Sequence, residues 1–152
     1  MKRRLLFYIL ALAVVALDRL TKVWAVQALS GERFVALVPG TLLLNLVHNR
    51  GSAFGLLQGG AALLAAAAVV AIGAMVWLER RGLPGRAITV ALALLLGGAL
   101  GNLIDRVTLG YVVDFIELDW HGRNVWPVFN VADSAITVGT CILIIWLWRD
   151  KR

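Results

Sequence analysis

Charge is scarce in this sequence. Only 16% of its 152 residues are Asp, Glu, Lys or Arg, while 61% are hydrophobic, far outside the balance of a soluble globular domain. The length is one domain's worth, and a core of that size cannot hide so much apolar surface, so the bilayer must be the solvent for most of the chain. Cysteine is nearly absent. Cys141 stands alone inside an apolar run, which excludes an internal disulfide and suits a small packing residue. Histidine is equally sparse: His48 and His121 lack metal-ligand spacing and there is no His-Glu-x-x-His. There is no Gly-x-Ser-x-Gly elbow, no phosphate-binding loop and no haem-type histidine pair, so neither a metal nor another cofactor is implied. The net charge of +6, from 15 basic and 9 acidic side chains, points in a membrane protein to cytoplasmic loops beside anionic lipid rather than to nucleic acid.

What is present is four apolar segments, Leu5–Ala28, Ala61–Leu78, Ala87–Leu103 and Val131–Trp148. At 1.5 Å per residue a helix of about 18 residues reaches about 27 Å, close to the hydrocarbon thickness of about 30 Å. Each should be a helix, because a helix satisfies its own backbone in lipid. Lys2-Arg3-Arg4 followed by Leu5–Leu17 has the look of a signal peptide, but the apolar pattern runs on past Asp18 and Lys22 to Leu29, which reads as an uncleaved first span. Basic residues cluster at the N-terminus, in the Glu79–Arg86 connection and at Arg149–Arg152. Four spans put all three on one side, which should be the cytoplasm, with both termini there and the segments Leu29–Gly60 and Arg106–Asn130 outside. The fold expected is an all-α polytopic membrane protein with four transmembrane helices, one domain over residues 1–152. To it are added a small extracytoplasmic sheet, from Phe34–Val38 and Thr41–His48 around Pro39-Gly40, and an interfacial helix or loop over Phe115–Trp126.

With that topology, nearly every ionisable residue in or beside a span falls at the outer leaflet. Intramembrane charge is costly and marks function by default. Asn130 is a good N-cap, which puts Asp133 at the third helical position of the last span, where the helix dipole favours a carboxylate; a plain capping box would explain it equally well. Asp114 lies in Tyr111-Val112-Val113-Asp114-Phe115, where a lone carboxylate needs a partner or a route to water. Together the two suggest an aspartyl dyad, in which close carboxylates share one proton and act as general base and general acid. Asn102, Asp105 and Arg106 share a helix face, beside glycines that permit close packing of a helix or of a substrate. Asp18 and Lys22 form an i,i+4 pair that is either structural or functional. Asn49–Gly55 reads as a polar turn. A Ser–Lys dyad of Lys22 with Ser52 or Ser134 is compatible with the spacing. Two rivals come from other classes: a small transporter or membrane chaperone with an ion path, which should spread ionisable groups over several depths, and a hydrolase of lipid phosphates, which would want a metal and more carboxylates.

In order along the chain stand Asp18-x-x-Thr21-Lys22, Asn49-x-Gly51-x-Ala53-Phe54-Gly55, Gly98-x-x-Gly101-Asn102-x-x-Asp105-Arg106, Val113-Asp114-Phe115 and Phe129-Asn130-x-Ala132-Asp133-Ser134. Each motif is weak alone; five in this order on a chain of this size resemble the lipoprotein signal peptidase (signal peptidase II) family over almost the whole length. Arg19 stands where glutamine is often expected, at a position that is not catalytic. The resemblance implies an aspartic endopeptidase of the bacterial inner membrane that cleaves diacylglyceryl-modified prolipoproteins immediately before the lipidated cysteine. It implies Asp114 and Asp133 as the catalytic pair, and Asn49, Gly51, Asn102, Arg106 and Asn130 as residues that position the substrate. Asp18, Lys22 and Asp105 are implied as support. The partners expected are the prolipoprotein and membrane lipid, with the enzyme acting as a monomer near the outer leaflet.

Overall fold

The computed structural model describes residues 2–31, 34–51, 60–83, 85–120 and 123–150. Four helices carry the apolar segments: α1 (Lys2–Leu29), α2 (Ala61–Arg81), α3 (Arg86–Leu109) and α4 (Val131–Asp150). Between them lie β1 (Val35–Val38), β2 (Leu42–Asn49), β3 (Val112–Trp120) and β4 (Arg123–Phe129). Among the described residues, three helices are long and apolar enough to cross a membrane: α2, α3 and α4. The helix α1 has the length, 28 residues, but Asp18, Arg19 and Lys22 interrupt its apolar run.

Helix α3 is the central one and packs against α1, α2 and α4. It buries Ile88, Leu92, Leu96 and its glycines, whereas α2 buries only Met75 and Glu79. The outer faces of α2 and α4 expose Val69, Val70, Trp77, Ile144, Ile145 and Trp148, a surface that water would not tolerate and hydrocarbon would. Glycine makes the close packing possible. A Cβ on Gly97 would lie 2.6 Å from Val14 Cβ, and one on Gly98 2.5 Å from Ala132 O. The glycine face of α3 is therefore filled by the chain's own α1 and α4 rather than held open for a substrate helix.

The helices extend beyond their apolar runs. Instead of ending near Leu103, α3 continues through Asp105 and Arg106, because Asp105 is paired inside the fold with Lys22 and Arg19, and stops at Gly110, whose φ of +78° and N–H bond to Arg106 O close the helix. Val112 then opens β3. The strands form one antiparallel sheet in the order β1-β2-β3-β4. The expected sheet was limited to β1 and β2. The stretch Phe115–Trp126, expected to be an interfacial helix or loop, instead lies mostly in the β3–β4 hairpin, with Ile116 opposite Phe129 and Leu118 opposite Trp126. The β-branched and aromatic residues Val112, Val113, Phe115 and Ile116 favour a pleated surface, and Phe115 finds a core with Ala25, Leu29 and Leu44. The sheet is thus docked on the end of α1, and β2 and β3 enter it with Val47 opposite Asp114. His121 and the stretch Ser52–Gly59, including the Ala53-Phe54-Gly55 part of the second motif, lie outside the described residues.

Candidate active site

Two elements present the two acids. Strand β3 carries Asp114, which is 2% exposed. The start of α4 carries Asp133, partly open to a cavity. Asn130 is the residue before α4, and it forms a reciprocal capping box with Asp133: Asp133 N–H donates to Asn130 Oδ1 at 2.9 Å, and Asn130 N–H donates to Asp133 Oδ2 at 3.3 Å. The capping reading of Asp133 is therefore correct as geometry, and it fixes the carboxylate at the helix mouth.

Three asparagines from three elements tie the acids together. From β2, Asn49 Nδ2 donates to Asp114 Oδ2 at 2.9 Å. Asn130 Nδ2 donates to Asp114 Oδ1 at 2.7 Å, and also faces Asn102 Oδ1 at 3.1 Å and Val113 O at 3.3 Å. From α3, Asn102 Nδ2 donates to Asp133 Oδ1 at 2.8 Å. The amides of Asn49, Asn102 and Asn130 are thus spent on holding carboxylates. Burial pushes Asp114 up to about 7, and the charge of Asp133 adds to it, against the lowering effect of the hydrogen bonds from Asn49 and Asn130.

Behind the acids lies a buried ionic cluster. Lys22 Nζ is 2.9 Å from Asp18 Oδ2, 2.8 Å from Asp105 Oδ2 and 3.0 Å from Asn102 Oδ1. Arg19 pairs with Asp105 Oδ1. With Lys22 so engaged, and Ser134 Oγ donating to its own helix at Asn130 O, 3.0 Å away, the Lys22–Ser134 dyad is not formed; Ser52 is outside the described residues. The other predicted residues also fall here. Gly51 is buried, its N–H donating to Asn49 Oδ1 at 2.9 Å. Among the described residues, Arg106 makes long contacts, 3.4 Å to Asn102 O and 3.5 Å to Gly51 O.

Asn49, Asn102, Arg106, Asp114 and Asp133 line one cavity of about 200 Å³, with Trp126 and Phe129 at its wall. A more apolar groove of about 280 Å³ adjoins it, sharing Trp126, Phe129, Asp133 and Thr137 and adding Leu118 and Val138. Sequence reasoning missed Phe129 and Thr137 as lining residues. Thr137 was legible in principle, four residues after Asp133 on the same helix face; Phe129 became so only with the β3–β4 pairing. Among the described residues, no group of three or more His, Cys, Asp or Glu side chains is gathered to hold a metal ion.

Comparison with known proteins covers the segment of chain that contains this site. The family model described as signal peptidase (SPase) II matches residues 10–149. The lipoprotein signal peptidase of Pseudomonas putida is 43% identical, over 98% of this chain and 90% of that protein. That of Halothermothrix orenii is 35% identical, over 95% and 97%. A bacterial membrane enzyme solved by the in meso method superposes with a TM-score of 0.85 at 33% identity, over 95% of this chain and 88% of that one.

Proposed function

This chain belongs to the signal peptidase II family, and we propose that it removes the signal peptide from diacylglyceryl-modified prolipoproteins, cutting immediately before the lipidated cysteine, with Asp114 and Asp133 activating the water. The observation that carries the assignment is a short chain of hydrogen bonds between the two carboxyl groups: Asn130 Nδ2 donates to Asp114 Oδ1 and to Asn102 Oδ1, while Asn102 Nδ2 and the Asn130 backbone N–H donate to Asp133. Two acids on different elements are joined through one linked pair of asparagines at one cavity, which structural capping alone does not require.

The chemistry follows from the electrostatics. Close carboxyl groups in a buried site cannot both ionise, so the pair keeps one proton and titrates as a unit. The ionised member takes a proton from water as the oxygen attacks the scissile carbonyl carbon. The protonated member hydrogen-bonds the carbonyl oxygen, and collapse of the tetrahedral species breaks the C–N bond as the amine leaves with a proton. Asn49, Asn102 and Asn130 hold the acids in register. Arg106, which lines the cavity beside the two acids, suits donation to substrate carbonyls.

The same reading extends to placement. In it α1 is the fourth span of a single domain, residues 1–152, acting as a monomer in the bacterial inner membrane with both termini cytoplasmic. Support comes from the pairing of its charges: Asp18 and Lys22 are at most 1% exposed and bind each other, Lys22 also pairing with Asp105 of α3 and Asp18 accepting the Ala132 N–H of α4, so they cost less in lipid than free charges. Arg3 meets Leu83 O and Thr89 at the opposite end of α1 from the sheet, consistent with the acids facing the outer leaflet, where a translocated prolipoprotein offers its scissile bond. The adjoining apolar groove beside Asp133 suits the membrane lipid or the acyl chains of the substrate.

Purified Asp114→Asn and Asp133→Asn variants are expected to lose cleavage of a diacylglyceryl-modified prolipoprotein by about 10³-fold or more while unfolding in detergent as single species. Turnover by either variant near the rate of the unmodified protein excludes the dyad.

A further inference from the structure

Arg19 is the least buried member of the ionic cluster behind the acids. Its side chain is 32% exposed, whereas Asp18 and Asp105 are 0% and Lys22 1% exposed. Two buried carboxylates and one buried ammonium leave one uncompensated negative charge, and Arg19, paired with Asp105 Oδ1, supplies the missing positive one. Arg106, the next residue after Asp105, does not serve this purpose, since its guanidinium reaches instead toward Gly51 O at the cavity.

The two carboxylates also do something parallel. Asp105 Oδ2 accepts the backbone N–H of Val113 at 3.1 Å, and Asp18 Oδ1 accepts the backbone N–H of Ala132 at 3.0 Å. Val113 immediately precedes Asp114, and Ala132 immediately precedes Asp133. Each acid of the candidate pair is therefore suspended, one peptide unit away, from a buried carboxylate, and the two carboxylates are joined through Lys22. A carboxylate that stays ionised is the stronger acceptor for such an N–H, and an uncompensated buried charge would relieve itself by taking up a proton or admitting water. Either event loosens the hold on Val113.

We propose that Arg19 is a positioning residue, which by pairing with Asp105 completes a neutral group of four charges that sets the placement of β3 relative to α4 and so of Asp114 relative to Asp133. The inference rests on the reading of Asp114 and Asp133 as the reacting pair. Arg19 touches neither acid, so its effect travels through Asp105 and the Val113 N–H, and it bears on kcat rather than on substrate affinity. With its side chain 32% exposed, Arg19 can be replaced without opening a cavity in the core, and its position is one where the family resemblance leads to glutamine.

The test compares Arg19→Gln and Arg19→Lys with the unmodified protein in detergent, each normalised to folded protein by thermal unfolding, using a diacylglyceryl-modified prolipoprotein. Arg19→Gln is expected to lower kcat by about tenfold, the scale on which sub-ångström misplacement acts, with KM within about twofold. Arg19→Lys, which keeps the charge, is expected to recover most of that loss. Unchanged kcat in Arg19→Gln overturns the proposal, as does a change in KM alone or a lysine variant no better than the glutamine one. Asp114→Asn and Asp133→Asn run alongside separate the two readings. If both are inactive while Arg19→Gln is unimpaired, only the role of Arg19 fails; if either is active, the dyad itself fails.

Discussion

Asn130 donates its side-chain amide to Asp114 Oδ1 at 2.7 Å while its side-chain oxygen accepts the backbone N–H of Asp133 at 2.9 Å. One residue therefore does two jobs that chemistry can separate. The oxygen caps α4, a role that serine fills equally well. The nitrogen reaches across to β3, a role for which serine is too short.

Asn130→Ser should accordingly keep the cap and lose the bridge. The serine variant is expected to keep the cap's share of thermal stability in detergent, about 1 kcal/mol over Asn130→Ala, while kcat falls by about tenfold or more as Asp114 drifts from register. Asn130→Ala, which loses both, should lower stability as well. A serine variant with full kcat would mean that the Asn130–Asp114 bond is incidental.

The second prediction concerns pH. Asp114 is pushed from the ordinary 3.8 up to about 7, by burial first and by the charge of Asp133 second. The folded state thus holds this proton more tightly than the unfolded chain does, so the stability linked to it is fully present below about 3.8 and is lost as pH rises through about 7. Cleavage depends on the same proton and should decline on the alkaline side of about 7. Replacing Asp133 by Asn removes the second cause but not burial, so the Asp114 carboxyl should titrate lower yet remain above 3.8. The pH dependence of kcat, and infrared titration of the carboxyl stretch in Asp133→Asn, check the two halves. A profile flat from about pH 6 to about pH 9 contradicts the shared proton.

Different parts of this molecule were legible in the sequence to different degrees. Apolar runs over Ala61–Leu78 and Val131–Trp148 specify helices because lipid leaves the backbone no other partner. The Asn130-x-x-Asp133 spacing announced the capping box, because that motif is local. What joins the acids is not local: Asn49, Asn102 and Asn130 come from β2, α3 and the mouth of α4, and no periodicity relates them. Arg19 and Asp105 sit on different helices, so helical spacing pairs Asp18 with Lys22 and says nothing of Arg19. The hairpin of β3 and β4 was obscured by its mixture of charge with Trp120 and Trp126, which also suits an interface; its register with β2 is set by burial of Phe115 against α1, a tertiary fact.

Gly101 provides the sharpest steric prediction. A Cβ built there lies 2.6 Å from Asp18 Oδ2 and 3.3 Å from Ala132 Cβ. Asp18 cannot retreat without releasing either Lys22 or the Ala132 N–H, so the added methyl must push α1 or α4 away from α3. Gly101→Ala is expected to cost about 1–3 kcal/mol of stability and to lower kcat through the displaced start of α4. Gly73 in α2 is the control, because nothing lies within 4 Å of its virtual Cβ. Gly73→Ala should leave kcat unchanged and favour the helix by up to about 1 kcal/mol. Thermal midpoints and kcat of the two variants, measured side by side in detergent, decide the matter: if Gly101→Ala is as well tolerated as Gly73→Ala, the close approach of Asp18 to α3 is not what sets the site.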